Sequence, residues 1–134
     1  MPEIMVDSNV LLDVLMGDPV WSAWSSATLE ECVREHALVI NVIVLAEISI
    51  SFDRIEDLND ALQSSKLQTR PIPPEAAFLA GRCFEQYRRR GGQRHSLLPD
   101  FLIGAHAAVK KMSLITRDIA RYRTYFPTVK LICP

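Results

Sequence analysis

Glu3-Ile-Met-Val-Asp-Ser-Asn-Val-Leu-Leu-Asp-Val-Leu15 changes its hydrophobic period midway. Glu3 to Val6 is a short apolar run that reads as a buried strand, with Asp7 at its end. Ser8 is of a type that caps helices, and Val10, Leu11, Val14 and Leu15 then recur at the 3.6-residue spacing of a helix that Gly17 ends. A buried strand passing straight into an amphipathic helix is the opening of an α/β fold, and the rest of the chain repeats the alternation.

Asp18 caps a second helix with Pro19 in its first turn, where the missing N–H costs nothing, running through Trp21, Trp24, Leu29 and Val33. Ala37 to Ile40 reads as a second strand. Ile43 to Phe52 is apolar nearly all round and reads as a buried helix with Glu47 inside it. A further helix is expected over Ile55–Leu67, a short strand over Thr69–Ile72, and a helix from Glu75 to about Arg90, ended by Gly91-Gly92. Leu98-Pro99-Asp100 opens a helix reaching Met112. Ser113–Thr116 is a strand, Asp118–Tyr125 a short helix and Thr128–Cys133 a last strand. Strands alternating with helices predict a mostly parallel sheet, whose ligands bind beyond the carboxyl ends of the strands.

The 134 residues carry no internal repeat, low-complexity tract or Gly/Ser linker, and are read as one domain over 1–134. An apolar fraction of 49% with 23% charged residues excludes disorder, collagen and coiled coil. The longest apolar stretch, Ala37 to Ala46, is interrupted by Asn41 and too short to span a bilayer, so no membrane association is expected. The first residues hold two acids and no basic segment, unlike a secretory signal. Cys32, Cys83 and Cys133 are far apart and unpatterned, and read as reduced thiols of a cytoplasmic protein. The net charge of −1 hides a segregation: residues 1–60 hold two basic side chains and twelve acids, residues 61–134 thirteen and four. Such asymmetry favours a polyanionic partner approached by one face.

Asp7 and Asp118 both fall at the expected carboxyl edge of the sheet, although either also suits a helix N-cap. Glu47 lies among Val42-Ile-Val-Leu-Ala and Ile-Ser-Ile50, where an ionised carboxylate needs a cation or donors. Asp100 stands in the first turn of its helix, where the macrodipole alone favours an acid. Four carboxylates without interleaved His or Cys suit a hard divalent cation, Mg²⁺ or Mn²⁺, which lowers the pKa of bound water and neutralises charge on a phosphodiester. Spacing alone does not choose these four from the sixteen acids.

Met5-Val-Asp-Ser-Asn-Val-Leu-Leu-Asp13, Ala46-Glu47, Pro99-Asp-Phe-Leu-Ile-Gly-Ala-His-Ala107 and Leu114-Ile-Thr-Arg-Asp118 occur in this order from end to end of the chain. In these pieces the chain resembles PIN-domain ribonucleases, and among them the VapC-type toxins of bacterial and archaeal toxin–antitoxin operons. The resemblance implies a three-layer α/β sandwich with a sheet of about five strands. It implies Asp7, Glu47, Asp100 and Asp118 as the catalytic, metal-binding acids, Asp7 and Asp100 being the principal ligands. Ser8, Asn9 and Thr116 would line the site, and Asn9 and Asp13 would buttress the first motif. An RNA substrate, a small antitoxin partner and a homodimer follow by the same resemblance. Gly104 departs from it, standing where relatives usually carry Ala.

Arg88, Arg89, Arg90 and Arg94, with His95, lead into Asp100, and Arg117 adjoins Asp118. These are the candidate phosphate contacts, Arg117 first, against the simpler reading of a solvated face that complements helix ends. Lys110, Lys111, Arg121 and Arg123 extend the same basic set. His106 reads as packed. Two rival functions are a phosphatase or phosphotransfer domain using Asp7 as nucleophile and a non-catalytic RNA-binding or scaffold PIN domain. The first wants Asp-x-Asp, where this chain has Asn9; the second commonly loses acids that are all present here.

Overall fold

The computed structural model describes residues 2–94 and 97–134; His95 of the expected basic rim lies outside them. The elements in chain order are β1 (Glu3–Val6), α1 (Ser8–Leu15), α2 (Ser22–Val33), β2 (Ala37–Ile40), α3 (Val42–Ile48), a 3₁₀ turn (Ser49–Ser51), α4 (Ile55–Ser64), β3 (Leu67–Thr69), α5 (Pro74–Arg89), α6 (Leu98–Val109), β4 (Ser113–Ile115), α7 (Ile119–Tyr125) and β5 (Leu131–Ile132). The strands form one sheet in the order β3-β2-β1-β4-β5, and every pairing is parallel, with Met5 opposite Val39 on one side and Leu114 on the other. This is the α/β architecture expected, a parallel sheet flanked by helices.

Burial explains the order. Ile4–Val6, Leu38–Ile40 and Leu114–Ile115 are buried throughout, as strands covered on both faces must be. The edge strands β3 and β5 are short and half-buried or exposed, which limits the unpaired backbone the sheet presents. Phe101 of α6, fully buried, meets Phe84 and Tyr87 of α5, Tyr125 of α7 and Phe126 edge-on or tilted, and this aromatic cluster fixes α6 and α7 against each other. Gly104 has a physical reason here. A Cβ at that position would lie 2.4 Å from the Phe126 ring, so the ring fills the space that Ala would take.

Several expectations are corrected. Asp7, not Ser8, is the N-cap of α1; its Oδ1 accepts the Ser8 N–H. Asp18 caps a turn, accepting the N–H groups of Val20 and Trp21, and α2 begins only at Ser22. The expected buried helix around Glu47 ends at Ile48, and Val42, Ala46 and Ile50 are exposed, so that segment is not apolar-packed all round. The third strand is Leu67–Thr69 rather than Thr69–Ile72. Among the described residues no helix is long and apolar enough to cross a membrane. The three cysteines are unpaired thiols.

Candidate active site

β1 has β2 on one side and β4 on the other, so the chain leaves β1 in one direction and returns on the opposite side. The crevice outside the carboxyl ends of β1 and β4 is therefore the topological switch point, where parallel sheets place their ligands. β1 runs into Asp7, β2 into Asn41 and β4 into Thr116, all three buried. Asn41 is occupied structurally: its Oδ1 accepts the Ile43 and Val44 N–H groups, and its amide meets His106 Nδ1 at 3.2 Å. Burial holds the His106 pKa below its ordinary value, consistent with the packed histidine expected.

Asp7 is held from several directions. Its Oδ1 accepts the Ser8 N–H at 2.8 Å; its Oδ2 accepts Thr116 Oγ1 at 2.8 Å, the Tyr122 hydroxyl at 3.0 Å and Asn9 Nδ2 at 3.3 Å. These donors favour the ionised form, but burial outweighs them and raises the Asp7 pKa. Ser8 donates its hydroxyl to Glu47 Oε1 at 2.8 Å, tying the half-buried Glu47 of α3 to the start of α1.

Asp100, in the first turn of α6, is raised to about 6, chiefly by burial. Arg121 opposes the rise, while Asp7, Glu47 and Asp118 add to it by repulsion. Asp7, Glu47 and Asp118 therefore lie near enough to Asp100 for their charges to act on it. Asp118 precedes α7, but its side chain does not cap that helix. It accepts from Arg121 Nη1 at 2.6 Å, and the same nitrogen donates to Asp100 Oδ2.

The donor set fits a hard divalent ion: four carboxylates from four elements, without thiol or imidazole competition. Yet among the described residues no three Asp, Glu, His or Cys side chains close into a ready-made ion cage. Arg121 holds two of the acids, and the neutral donors above hold Asp7.

Of the basic candidates, Arg117 is committed to α1. Its Nε and Nη2 meet Asp13 at 2.6 and 2.9 Å, and its guanidinium lies over the Trp21 ring. Asp13, buried, also accepts the Ser25 hydroxyl, so it joins α1 to α2 as well as to the turn after β4. Arg88, Arg89 and Arg90 are exposed at the end of α5, where Arg89 pairs with Glu85 and Arg90 lies over Tyr125; Arg94 is exposed beyond them. Among the described residues none of these four pairs with Asp7, Glu47, Asp100 or Asp118. Sequence reading missed Tyr122 altogether and placed Arg121 only among the general basic set. The signal was available in their spacing, four and three residues after Asp118, which returns to one helix face.

An apolar groove of about 370 Å³ opens elsewhere, between α1, α2 and α4, lined by Leu11, Val14, Leu29, Val33 and Leu62 among others and by none of the four acids.

The family model of the PIN domain matches residues 4–127. No curated protein matches the chain significantly. Among solved structures, the chain is similar to one in VapBC2 from Rickettsia felis bound to a promoter DNA fragment, at 20% identity and a TM-score of 0.74, covering 98% of each chain. It is also similar to one in DNA-bound VapBC from Salmonella typhimurium, at 17% identity and a TM-score of 0.70, covering 99% of this chain and 98% of that one. A toxin–antitoxin complex from Klebsiella pneumoniae matches at 20% identity and a TM-score of 0.64, over 94% of each chain.

Proposed function

The chain belongs to the PIN-domain family, and from that premise we propose that it is a divalent-metal-dependent ribonuclease acting as the toxin of a toxin–antitoxin pair. What supports this reading is the hydrogen bonding at the β1/β4 switch point: Ser8 links Asp7 to Glu47, and Arg121 links Asp100 to Asp118 from the helix whose Tyr122 meets Asp7. Crowded carboxylates of this kind are stabilised by a cation, and Mg²⁺ or Mn²⁺ is the hard ion they suit.

Asp7 and Asp100 would hold the ion, with Glu47 and Asp118 completing its inner or water-mediated shell. The bound ion would supply an acidified water and neutralise charge on the phosphodiester. The protein's own residues supply positioning. Ser8, Thr116, Tyr122 and Asn9 fix the Asp7 carboxylate in one orientation. Ser8 takes one oxygen of Glu47, leaving the other to orient the attacking water. Arg117 and Asp13 lock the turn after β4 to α1, so that the two strand ends keep their spacing. Asp7 makes a poor phosphoryl acceptor, because donors restrain both of its oxygens; this weighs against the phosphatase alternative.

Exposed Arg88, Arg89, Arg90 and Arg94 are the candidate holders of RNA phosphates. A toxin of this kind would act in the cytoplasm, pair with a second copy, and be silenced by a small antitoxin. The toxin–antitoxin complexes among the structural matches support that partner, and the apolar groove between α1, α2 and α4 is the surface an amphipathic antitoxin segment would cover.

Asp7→Asn and Asp100→Asn test the assignment, since each removes a ligand charge with little change of shape. Each should lower RNA cleavage by roughly 100-fold or more while the circular dichroism spectrum is kept. Asp53→Asn, at an exposed acid outside the crevice, should cleave like the wild type. Wild-type activity in Asp7→Asn or Asp100→Asn would refute the assignment, and a wild-type protein without cleavage on any RNA would favour the non-catalytic alternative.

A further inference from the structure

We propose that Arg121 is a built-in counter-cation of the acidic crevice, holding Asp100 and Asp118 together in the metal-free protein and competing with the divalent ion for them. The inference rests on the metal-dependent reading above and concerns a residue that reading does not use.

One nitrogen carries it. Arg121 Nη1 donates to Oδ2 of Asp118, three residues back at the start of its own helix, and to Oδ2 of Asp100, on a different helix 21 positions away. An ordinary surface pair of the i,i+3 kind would have only the first contact. The second makes the guanidinium a cross-link between α6 and the turn before α7. The side chains of Arg121, Asp100 and Asp118 are 20%, 24% and 35% exposed, so solvent screens them less than it screens surface ion pairs. Among the described residues no other Lys or Arg pairs with any of the four acids.

The charge count shows what this bridge leaves undone. Four carboxylates, all ionised, carry four negative charges, and one guanidinium offsets one of them. A divalent ion would offset two, and it would draw on the same two carboxylates that Arg121 now bridges through their Oδ2 atoms. The two cations would thus compete for Asp100 and Asp118, and metal binding would loosen or replace the Arg121 bridge.

The test is Mn²⁺ binding to metal-stripped protein, read by the paramagnetic resonance of free Mn²⁺, with thermal unfolding of the metal-free forms alongside. Arg121→Gln should bind Mn²⁺ about tenfold tighter than wild type or more, because the competing charge is gone. Its metal-free form should melt lower, and saturating Mn²⁺ should close most of that gap. An Arg121→Gln protein that is folded and binds Mn²⁺ equally or more weakly would make Arg121 a structural cross-link only and overturn the proposal. A second measurement works on the wild type, whatever the variant's folding. Mg²⁺ titration followed by nitrogen-15 resonances should move the Arg121 guanidinium signals and speed their proton exchange as the ion displaces them. Unchanged guanidinium signals at Mg²⁺ saturation would overturn the proposal equally. If wild type and Asp100→Asn bind Mn²⁺ alike and only weakly, the metal reading itself fails, and this inference with it. That result is distinct from a wild type that binds but is not improved by Arg121→Gln.

Discussion

At the scale of the residue, the crevice trades protonation against repulsion. Asp100 sits at about 6 when folded and near 3.8 when unfolded, and burial moves Asp7 in the same direction. Between those values the folded chain binds more protons than the unfolded chain, so stability falls as pH rises through this window, and the loss is complete above the folded value. For Asp100 alone the change is on the order of 2–3 kcal/mol. Urea unfolding in chelator should therefore show the metal-free protein more stable near pH ~5 than near pH ~7.5, with Asp100→Asn flattening that limb. A flat wild-type profile would contradict the burial of Asp100 beside the other acids. The acids were legible as candidates because each breaks a local pattern: two end apolar strands, one interrupts an apolar segment, one opens a Pro-led helix. Their supports were not. Tyr122 passes unremarked and Arg121 reads as one more base, because their spacing after Asp118 is a faint local sign of contacts that reach Asp7, 115 positions away, and Asp100, 21 away.

Element ends show where sequence reading fails for a physical reason. The expected helices over Ile55–Leu67 and Leu98–Met112 stop at Ser64 and Val109 instead. Each is followed by a lysine in the left-handed region, Lys66 at φ 59° and Lys111 at φ 55°, where a glycine would ordinarily announce the stop. Lys111→Gly should relieve that strain and raise stability by about 0.5–1 kcal/mol. Gly104→Ala should do the reverse, although it improves helix propensity, because its methyl would meet the Phe126 ring; the expected loss is about 1–2 kcal/mol. Both are read from thermal or urea unfolding, and a stabilising Gly104→Ala would mean that Phe126 moves aside freely. The three inner strands and α1 were legible to within a residue, because near-continuous burial and a clean helical period leave little ambiguity. β5 shrank to two residues, because an edge strand with half-buried side chains has little packing to extend it.

Across the whole molecule, sheet order gives the charge segregation a place. The acidic half supplies β1 and β2, the basic half β3, β4 and β5, and the β1–β4 pairing brings the halves together at the crevice. Asp7 and Glu47 come from one half, Asp100 and Asp118 from the other. If Arg88, Arg89, Arg90 and Arg94 hold RNA, each Arg→Gln change should flatten the dependence of log affinity on log salt by about 0.7, measured with Ca²⁺ in place of the active metal. Arg117→Gln should act differently. It leaves the buried Asp13 without its bidentate partner and should cost about 3 kcal/mol of stability, with little change in slope. Unchanged slopes in all four rim variants would retire the rim. The sequence foretold the asymmetry but not this division of labour, because Arg117 differs from its neighbours only in reaching Asp13 and Trp21.

The central claim is that the four-acid crevice cleaves RNA through a divalent ion, and a chelation cycle tests it most directly. Purified wild type and Asp100→Asn are incubated with single-stranded RNA in EDTA, then with excess Mg²⁺ or Mn²⁺ restored. The account predicts that wild-type cleavage stops in EDTA and returns with the ion, and that Asp100→Asn stays inactive throughout. Cleavage that persists undiminished in EDTA, and that Asp100→Asn shares, would contradict it.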